Sequence, residues 1–594
     1  ISLLALLVAL ALVAAPGANA ASGTWERSWG KDVIAGNAET GAEVCTIASS
    51  CQAGGVGGFG GELQPPNGVA VDAAGSVYVA DVANTRIDKF TAGGKWLRSW
   101  GKDVVNGGGE GAEICAVAGE CRSGKTGGKA GEFVNPVGVA VDPSGNVYVV
   151  EAAGGERLQK FDSEGHFLAA WGKNVIAGGG TGAEICTVAE NCTIGENNGG
   201  RGGEFDDPAG IATDSSGDVY IADLESHRIE KFTSSGEFEW AAGKDVIEGG
   251  TEEFEVCLVA SQCQKAAAGI HGGEFLSPTS IAVGGERVFA GDATGARVQE
   301  FDEGGQWVRA WGKDVVSGGA TGFEVCSVAG ECKTGTAGTF GGEFAGGPYG
   351  MAADASHVYA TDTINNRIET FSATTGAFEA TWGKNVIAGG GSGYEICTVA
   401  GECRVGETGG LGGELNRPFG LAVDSGGNLF VGDEHNTRVD RFSDTGPPSE
   451  GGDGGGGETG GGGSGAGGGG GPASSAPTPP GPTIAKPNLA LHLRFKPQQA
   501  VGKLSITGFA NVAGHLTAKA TVRMPGGGTV KSKAAKASVT AGGSATIRIK
   551  FTGKGLAAID AALAAGEKLK AKVVVTESAA AGASSARATI KLRH

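Results

Sequence analysis

Gly68-Val-Ala-Val-Asp72, Val77-Tyr-Val-Ala-Asp81, Arg86-Ile-Asp-Lys-Phe90 and Lys95-Trp-Leu-Arg-Ser-Trp100 follow one another with only short breaks between them. Each run is rich in β-branched and aromatic residues, and breaks such as Ala74-Gly75 and Ala92-Gly-Gly94 separate them. This pattern predicts four short antiparallel strands joined by tight turns. The runs are apolar at consecutive positions in places, so both faces of the sheet are expected to be covered. A four-stranded sheet packed between two similar sheets is a blade of a β-propeller.

The same unit is written six times. Each copy carries one Cys-x5-Cys pair: Cys45 with Cys51, Cys115 with Cys121, Cys186 with Cys192, Cys257 with Cys263, Cys326 with Cys332, and Cys397 with Cys403. Successive first cysteines lie 70, 71, 71, 69 and 71 residues apart, the mark of one supersecondary unit copied and stacked. First-type strands begin near Gly68, Gly138, Gly210, Ser280, Gly350 and Gly420; fourth-type strands end at Trp29, Trp100, Trp171, Ala242, Trp311 and Trp382. The last copy stops after Arg438-Val-Asp-Arg-Phe442, and the orphan fourth strand, Thr24-Trp-Glu-Arg-Ser-Trp29, lies at the other end of the repeat region. The expected fold over residues 22–445 is all-β: a six-bladed propeller whose N-terminal strand closes the last blade and hides its edge.

Gly131-Glu-Phe133 followed by Gly138-Val-Ala-Val-Asp142, and Tyr78-Val-Ala-Asp81 followed by Asn84-Thr-Arg86-Ile-Asp-Lys-Phe90, resemble the NHL repeat. Copies one (Asp81, Asn84, Arg86) and six (Asp433, Asn436, Arg438) match best. Copies three (Asp223, Arg228) and five (Asp362, Asn366, Arg367) match with shifts, copy two has Glu151 and Arg157, and copy four (Asp292, Arg297) lacks the Asn. The resemblance implies the propeller fold. It leaves function open, since NHL propellers include RNA- and protein-binding modules, receptor-kinase sensor domains and a peptide-amidating lyase.

Ile1 to Ala15 is almost wholly apolar, and Ala18-Asn-Ala20 offers small residues for cleavage before Ala21. Residues 1–20 are therefore expected to be a secretory signal peptide with a truncated start, the alternative being an N-terminal membrane anchor. Export fits twelve cysteines that all fall in identical pairs, read as six local disulfides formed in an oxidising compartment; a lone pair without a nearby His is only half a zinc site. Residues 446–482 are mostly Gly with later Ser, Thr and Pro, the composition of a linker. From Thr483 onward the chain carries eighteen Lys and Arg against three acids, whereas residues 1–482 carry 29 bases against 62 acids. The overall charge of −18 thus conceals two halves of opposite sign. Alternation in Ala545–Phe551, Leu569–Val573 and Ala588–Leu592 predicts half-buried strands with a basic face. A helix is expected at Leu556–Ala565, and residues 483–594 are expected to form a small sandwich of immunoglobulin-like type.

Between the fourth strand of one unit and the first strand of the next lies a long insert, residues 102–137 in copy two. Connections of this length are functional or disordered; a disulfide in each argues for order, and the insert-bearing face is the candidate binding surface. Three charges recur in every insert, represented by Lys102, Glu113 and Glu132 in copy two and Lys173, Glu184 and Glu204 in copy three. These six are the candidate binding residues. A ring of such carboxylates offers oxygen ligands to calcium, but repetition in all six copies favours Lys–Glu pairing that fixes the loops, and no cofactor is assigned. Asp81 with Arg86, and their counterparts, read as turn-closing ion pairs. His166, His227, His271, His357 and His435 occupy different repeat positions and form no ring. No catalytic residue is assigned and no metal ligand either. The acidic repeat region repels nucleic acid. The expected protein is an exported noncatalytic binding or scaffold protein. Its insert-rich face takes a protein or glycan ligand, and its basic tail attaches to anionic cell-envelope polymer. The alternatives are an extracellular metal-assisted lyase or hydrolase working at the central mouth, and a surface protein whose repeats self-associate.

Overall fold

The computed structural model describes residues 23–37 and 41–443, and residues 491–593 apart from 495–497, 501–503, 511–513, 526–527, 540–542, 566–568 and 580–581. The signal-peptide and linker assignments lie outside the described residues. The chain divides into two compact units, Ile1–Gly455 and Gly456–His594.

Among the described residues the first unit contains six five-stranded antiparallel sheets. In the second copy of the sequence unit the strands are Pro136–Val141, Val147–Glu151, Arg157–Phe161, Phe167–Lys173 and Ala183–Cys186. The first four fall where the apolar runs predict them. The fifth is an addition to the expected four-stranded blade. It is the tetrapeptide ending at the first cysteine, folded back along the fourth strand with Gly172 opposite Glu184 and Lys173 opposite Ala183. The reversal begins at Asp32, Asp103, Asn174, Asp245, Asp314 and Asn385, each at φ between 51° and 54°. Asp and Asn tolerate that left-handed conformation better than other side chains do, which accounts for the Lys-Asp or Lys-Asn pair opening every insert.

Thr24–Lys31 pairs antiparallel with Arg438–Ser443, with Trp29 opposite Val439, so the two ends of the repeat region share one sheet. Trp29 then packs between Phe90 and Phe430, at ring separations of 6.1 and 6.2 Å. Trp100, Trp171, Trp311 and Trp382 are likewise buried, and Trp100 bridges Tyr78 of one sheet and Phe161 of the next. Each such wedge contributes about 1.5–3 kcal/mol by burial of apolar surface. The third-to-fourth turn passes so close to the wedge that a Cβ on Gly165, at φ 93°, would stand 2.8 Å from the Trp100 ring.

The first strands touch in chain order around a closed circuit. A Cβ on Gly68 would stand 2.7 Å from the Val137 carbonyl oxygen, one on Gly138 2.8 Å from that of Ala209, and one on Gly210 2.7 Å from Ser280 Cα. In copy four Ser280 replaces the glycine, and its hydroxyl donates to the Pro348 carbonyl at 2.9 Å. A Cβ on Gly350 would collide with the Phe419 carbonyl, and one on Gly420 with that of Asn67, returning to the first sheet. Crowding at this centre is the reason for the glycine at the start of the first strand in five of the six copies.

The second unit has a three-stranded sheet and a larger sheet whose main path orders five of its six strands, Ala535–Val539 branching from it. Among the described residues all pairs are antiparallel except Gln498–Ala500 with Lys591–Arg593. Alternation is visible in Ala571, Val573 and Val575, which are buried, while Lys572, Val574 and Thr576 are exposed. The helix runs Gly553–Ala564, starting three residues before the expected position, because the Thr552 hydroxyl accepts from Gly555 N and caps it. Ile559 of this helix joins Leu516, Val522, Ile549 and Val573 in the core. Among the described residues no helix is long and apolar enough to cross a membrane.

Candidate functional site

The inserts are internally braced. Every cysteine pair expected from the spacing is a disulfide: Cys45 with Cys51, Cys115 with Cys121, Cys186 with Cys192, Cys257 with Cys263, Cys326 with Cys332, and Cys397 with Cys403. Among the described residues no cysteine is free. The second cysteine of each pair also pins the start of its own insert: Cys51 bridges to Ile34, Cys121 to Val105, Cys192 to Ile176, Cys263 to Ile247, Cys332 to Val316 and Cys403 to Ile387. The disulfides are thus structural and buried. Each ring is small, and chain-entropy arguments give about 2 kcal/mol per bridge.

The recurring charges brace the same loops. Glu113 accepts from Val105 N at 2.9 Å, and Glu184 from Ile176 N at 2.9 Å. The same carboxylate accepts the corresponding N–H in the other four copies. Glu132, almost fully buried, accepts from Lys129 N and lies 3.7 Å from Lys102 Nζ. Glu204 accepts from Gly200 and Arg201 N, while Lys173 reaches the Asn197 carbonyl at 3.4 Å. The six candidate residues therefore sit three to an insert in two neighbouring inserts, each bonded within its own loop.

The arginine of the third strand ties consecutive inserts together. Arg86 is fully buried; it donates through Nη1 to the carbonyls of Gly58 and Arg122 and through Nη2 to those of Phe59 and Glu62. Asp81 and Asp88 lie 3.3 and 2.7 Å from its Nε. The guanidinium thus clamps the insert before its sheet to the insert after it, a larger role than closing a turn. Burial pushes Asp81 well above the usual carboxylate range, against the pull of Arg86.

The histidines are scattered as their repeat positions imply. His227 meets the Leu276 carbonyl, His271 the Cys332 carbonyl and His166 its neighbour Asp162. Among the described residues no three His, Cys, Asp or Glu side chains form a group able to hold a metal ion.

The residues that do converge were not singled out by sequence. A cavity of about 340 Å³ lies where the first strands begin, and Asn67, Val137, Ala209, Thr279, Tyr349 and Phe419 all line it. Each is the x of Pro-x-Gly or, in copy four, Pro-x-Ser. The proline before it and the small residue after it are kept; the lining residue differs in every copy. Tyr349 and Phe419 stack, with ring centroids 5.4 Å apart and planes inclined by 29°. Val137 and Ala209 supply small apolar groups, and Thr279 donates to the Pro348 carbonyl at 3.0 Å. Asn135, Ala152, Ala153, Asp207 and Leu224 also line the cavity. They belong to the turns after second strands and the ends of inserts, so the cavity opens on the insert-bearing side. The signal available in the sequence was variability: one position changing its chemistry inside an otherwise copied motif.

The NHL repeat family model matches residues 205–232, which span Phe205, the strands Pro208–Thr213 and Val219–Asp223, and the strand ending at Phe232. The fold and this repeat define the first unit as a propeller-type β protein built of NHL-like repeats. No curated protein matches the chain. Among solved structures, one of a nidogen/laminin complex is similar at 11% identity over 67% of this chain and 97% of that one, with a TM-score of 0.30. Virginiamycin B lyase from Staphylococcus aureus is similar at 10% identity over 65% and 97%, with a TM-score of 0.31. The PQQ-bound aldose sugar dehydrogenase from Streptomyces coelicolor is similar at 14% identity over 66% and 96%, with a TM-score of 0.32.

Proposed function

We propose that the protein is an exported, noncatalytic binding protein. Its first unit acts as a six-bladed propeller closed by the N-terminal strand, and its ligand, a protein or glycan, docks on the insert-bearing side and enters the axial cavity. Its basic second unit, of immunoglobulin-like type, attaches to an anionic polymer of the cell envelope. One observation carries the binding reading: the framework residues repeat from copy to copy, while the six cavity-lining x positions differ. A copied scaffold with an individualised, largely apolar pocket and a few polar groups is the usual form of a ligand site. Six disulfides fit an oxidising compartment, which supports export. The test is a screen of the full chain against peptide and glycan arrays, repeated with Phe419→Ala and Tyr349→Ala. Each aromatic truncation is expected to weaken the leading ligand by about tenfold or more, as a buried interface anchor does. Ligands held equally by both variants would place binding elsewhere and defeat this reading.

A further inference from the structure

The axial cavity is asymmetric in charge as well as in shape. Among the described residues Asp207 is the only charged one that lines it. It stands immediately before Pro208, where the other copies have Pro65, Asn135, Ser277, Gly347 and Arg417. Asp207 is held at φ 58°, its Oδ1 accepting from Ala153 N at 2.9 Å and its own N–H donating to Glu156 Oε2 at 2.7 Å. Glu156 is only 5% exposed, accepts also from Gly154 N, and occupies a position that is Thr85, His227, Ala296, Asn366 or Thr437 elsewhere. Copies two and three together thus set a second, buried carboxylate, Glu156, against the backbone of the cavity-lining Asp207.

Lys265 pairs with Asp206, next to Asp207 in the chain, and Arg417, the copy-six counterpart of Asp207, pairs with Glu434 at 3.4 Å. Among the described residues no cation pairs with Asp207 or Glu156. The first strands follow one another around the circuit, so the third faces the sixth. The wall across from Asp207 is therefore Phe419, with Tyr349 stacked beside it. Val137 and Ala209 form the small apolar wall on the Asp207 side.

A carboxylate facing an aromatic pair across an apolar chamber has one complementary ligand chemistry. A cation on an aliphatic stem satisfies the carboxylate by a charge-assisted hydrogen bond, the ring faces through their negative quadrupoles, and the apolar wall through the stem. We propose that the axial cavity binds an alkylammonium group, the chemistry of a lysine side chain, with Asp207 as its counter-ion and Tyr349 and Phe419 as its aromatic wall. This rests on the binding reading given above and names the group that enters the cavity. A neutral sugar fits less well, because the chamber offers few hydrogen-bonding groups beyond Asn67, Asn135 and Thr279.

The experiment is calorimetric titration of the full chain with three probes: n-pentylammonium, N-acetyl-lysine methylamide and neutral 1-pentanol. Both cations are expected to bind, and 1-pentanol about tenfold or more weakly. Asp207→Asn is the decisive variant, since Asn accepts the left-handed backbone as Asp does; unchanged circular dichroism confirms that it folds. It should lose about tenfold in affinity for both cations and leave 1-pentanol unaffected. Phe419→Leu, which keeps a bulky apolar side chain and removes the ring face, should weaken the cations more than the alcohol. Tighter binding of the lysine derivative than of pentylammonium identifies a peptide side chain as the source, and the reverse a free amine. Equal binding of cation and alcohol, insensitive to Asp207→Asn, overturns the cation assignment while leaving the cavity a binding site. Binding of none of the three overturns the assignment too, and the array screen with the aromatic variants then decides the broader reading separately.

Discussion

At the scale of single residues, the third strand solves one problem in two ways. Two positions after the buried arginine stands Asp88, Gln159, Glu230, Gln299, Glu369 or Asp440. Gln159 accepts from Gly131 N and donates to the Glu132 carbonyl, both at 2.8 Å; Gln299 makes the same pair with Gly273 and Glu274. Glu230 and Glu369 accept the matching N–H from Gly203 and Gly342. They have no proton to donate while ionised, and Glu230 Oε2 has no hydrogen-bond partner. Burial pushes both carboxyls up to about 8, with a second buried acid, Asp223 or Asp362, adding to the rise and Arg228 or Arg367 opposing it. A folded value above the unfolded one means that the native state binds the proton more tightly. The stability these groups lend is complete below about pH 4.5 and is lost as pH rises through about 8. The double variant Glu230→Gln, Glu369→Gln removes that loss by copying Gln159 and Gln299. Urea unfolding at pH 5 and pH 9 should show the wild type weakening and the variant weakening less, a gap on the order of a few kcal/mol. An identical decline in both would refute the account.

At the scale of elements, the fifth strand and the closing strand both deal with edges. The tetrapeptides ending at the first cysteines pair with the fourth strands and shorten the edge left open on the outside of every sheet. The insert then returns, and Gly60 N donates to the Ala118 carbonyl of the next insert at 3.0 Å, as Gly412 N does to that of Ala48. Such contacts latch five of the six inserts to the next one, so the long connections are part of the framework. The closing strand is the more exposed to loss, since among the described residues Arg438–Ser443 has no other partner on that side. Deleting residues 1–31 should leave an unpaired edge and remove the Trp29 wedge. Light scattering is expected to show concentration-dependent association, with a markedly lower melting temperature. A monomeric product melting with the parent would mean that the strand is dispensable for closure.

At the scale of the whole molecule, charge divides the chain as its repeats do, acidic before residue 483 and basic after it. Attachment through the basic unit is an electrostatic proposal, so it should weaken with salt. Retention of the full chain on dextran sulfate beads should fall steeply between about 50 and 500 mM salt, over which the Debye length shrinks roughly threefold, and vanish on deletion of 483–594. Retention that survives the deletion would remove the tail from the attachment role. The repeat, the strands, the disulfide pairing and the closing partnership of Thr24–Trp29 with the last copy were legible in the chain itself, because period-two patterning, turn residues and cysteine spacing are local signals. The fifth strand was not, because Ala-Glu-Ile-Cys is too short to declare a strand without a partner edge. Nor was the cavity. Asn67, Val137, Ala209, Thr279, Tyr349 and Phe419 stand about seventy residues apart in sequence and lie in inconspicuous Pro-x-Gly or Pro-x-Ser turns. The recurring Lys and Glu residues drew attention by repeating, and the structure shows them bonded within their own inserts. The sequence alone determined what is copied, since each copy reports its own structure. Only the tertiary structure decided what the copies build together, because a cavity lined by six first strands exists only once those strands meet.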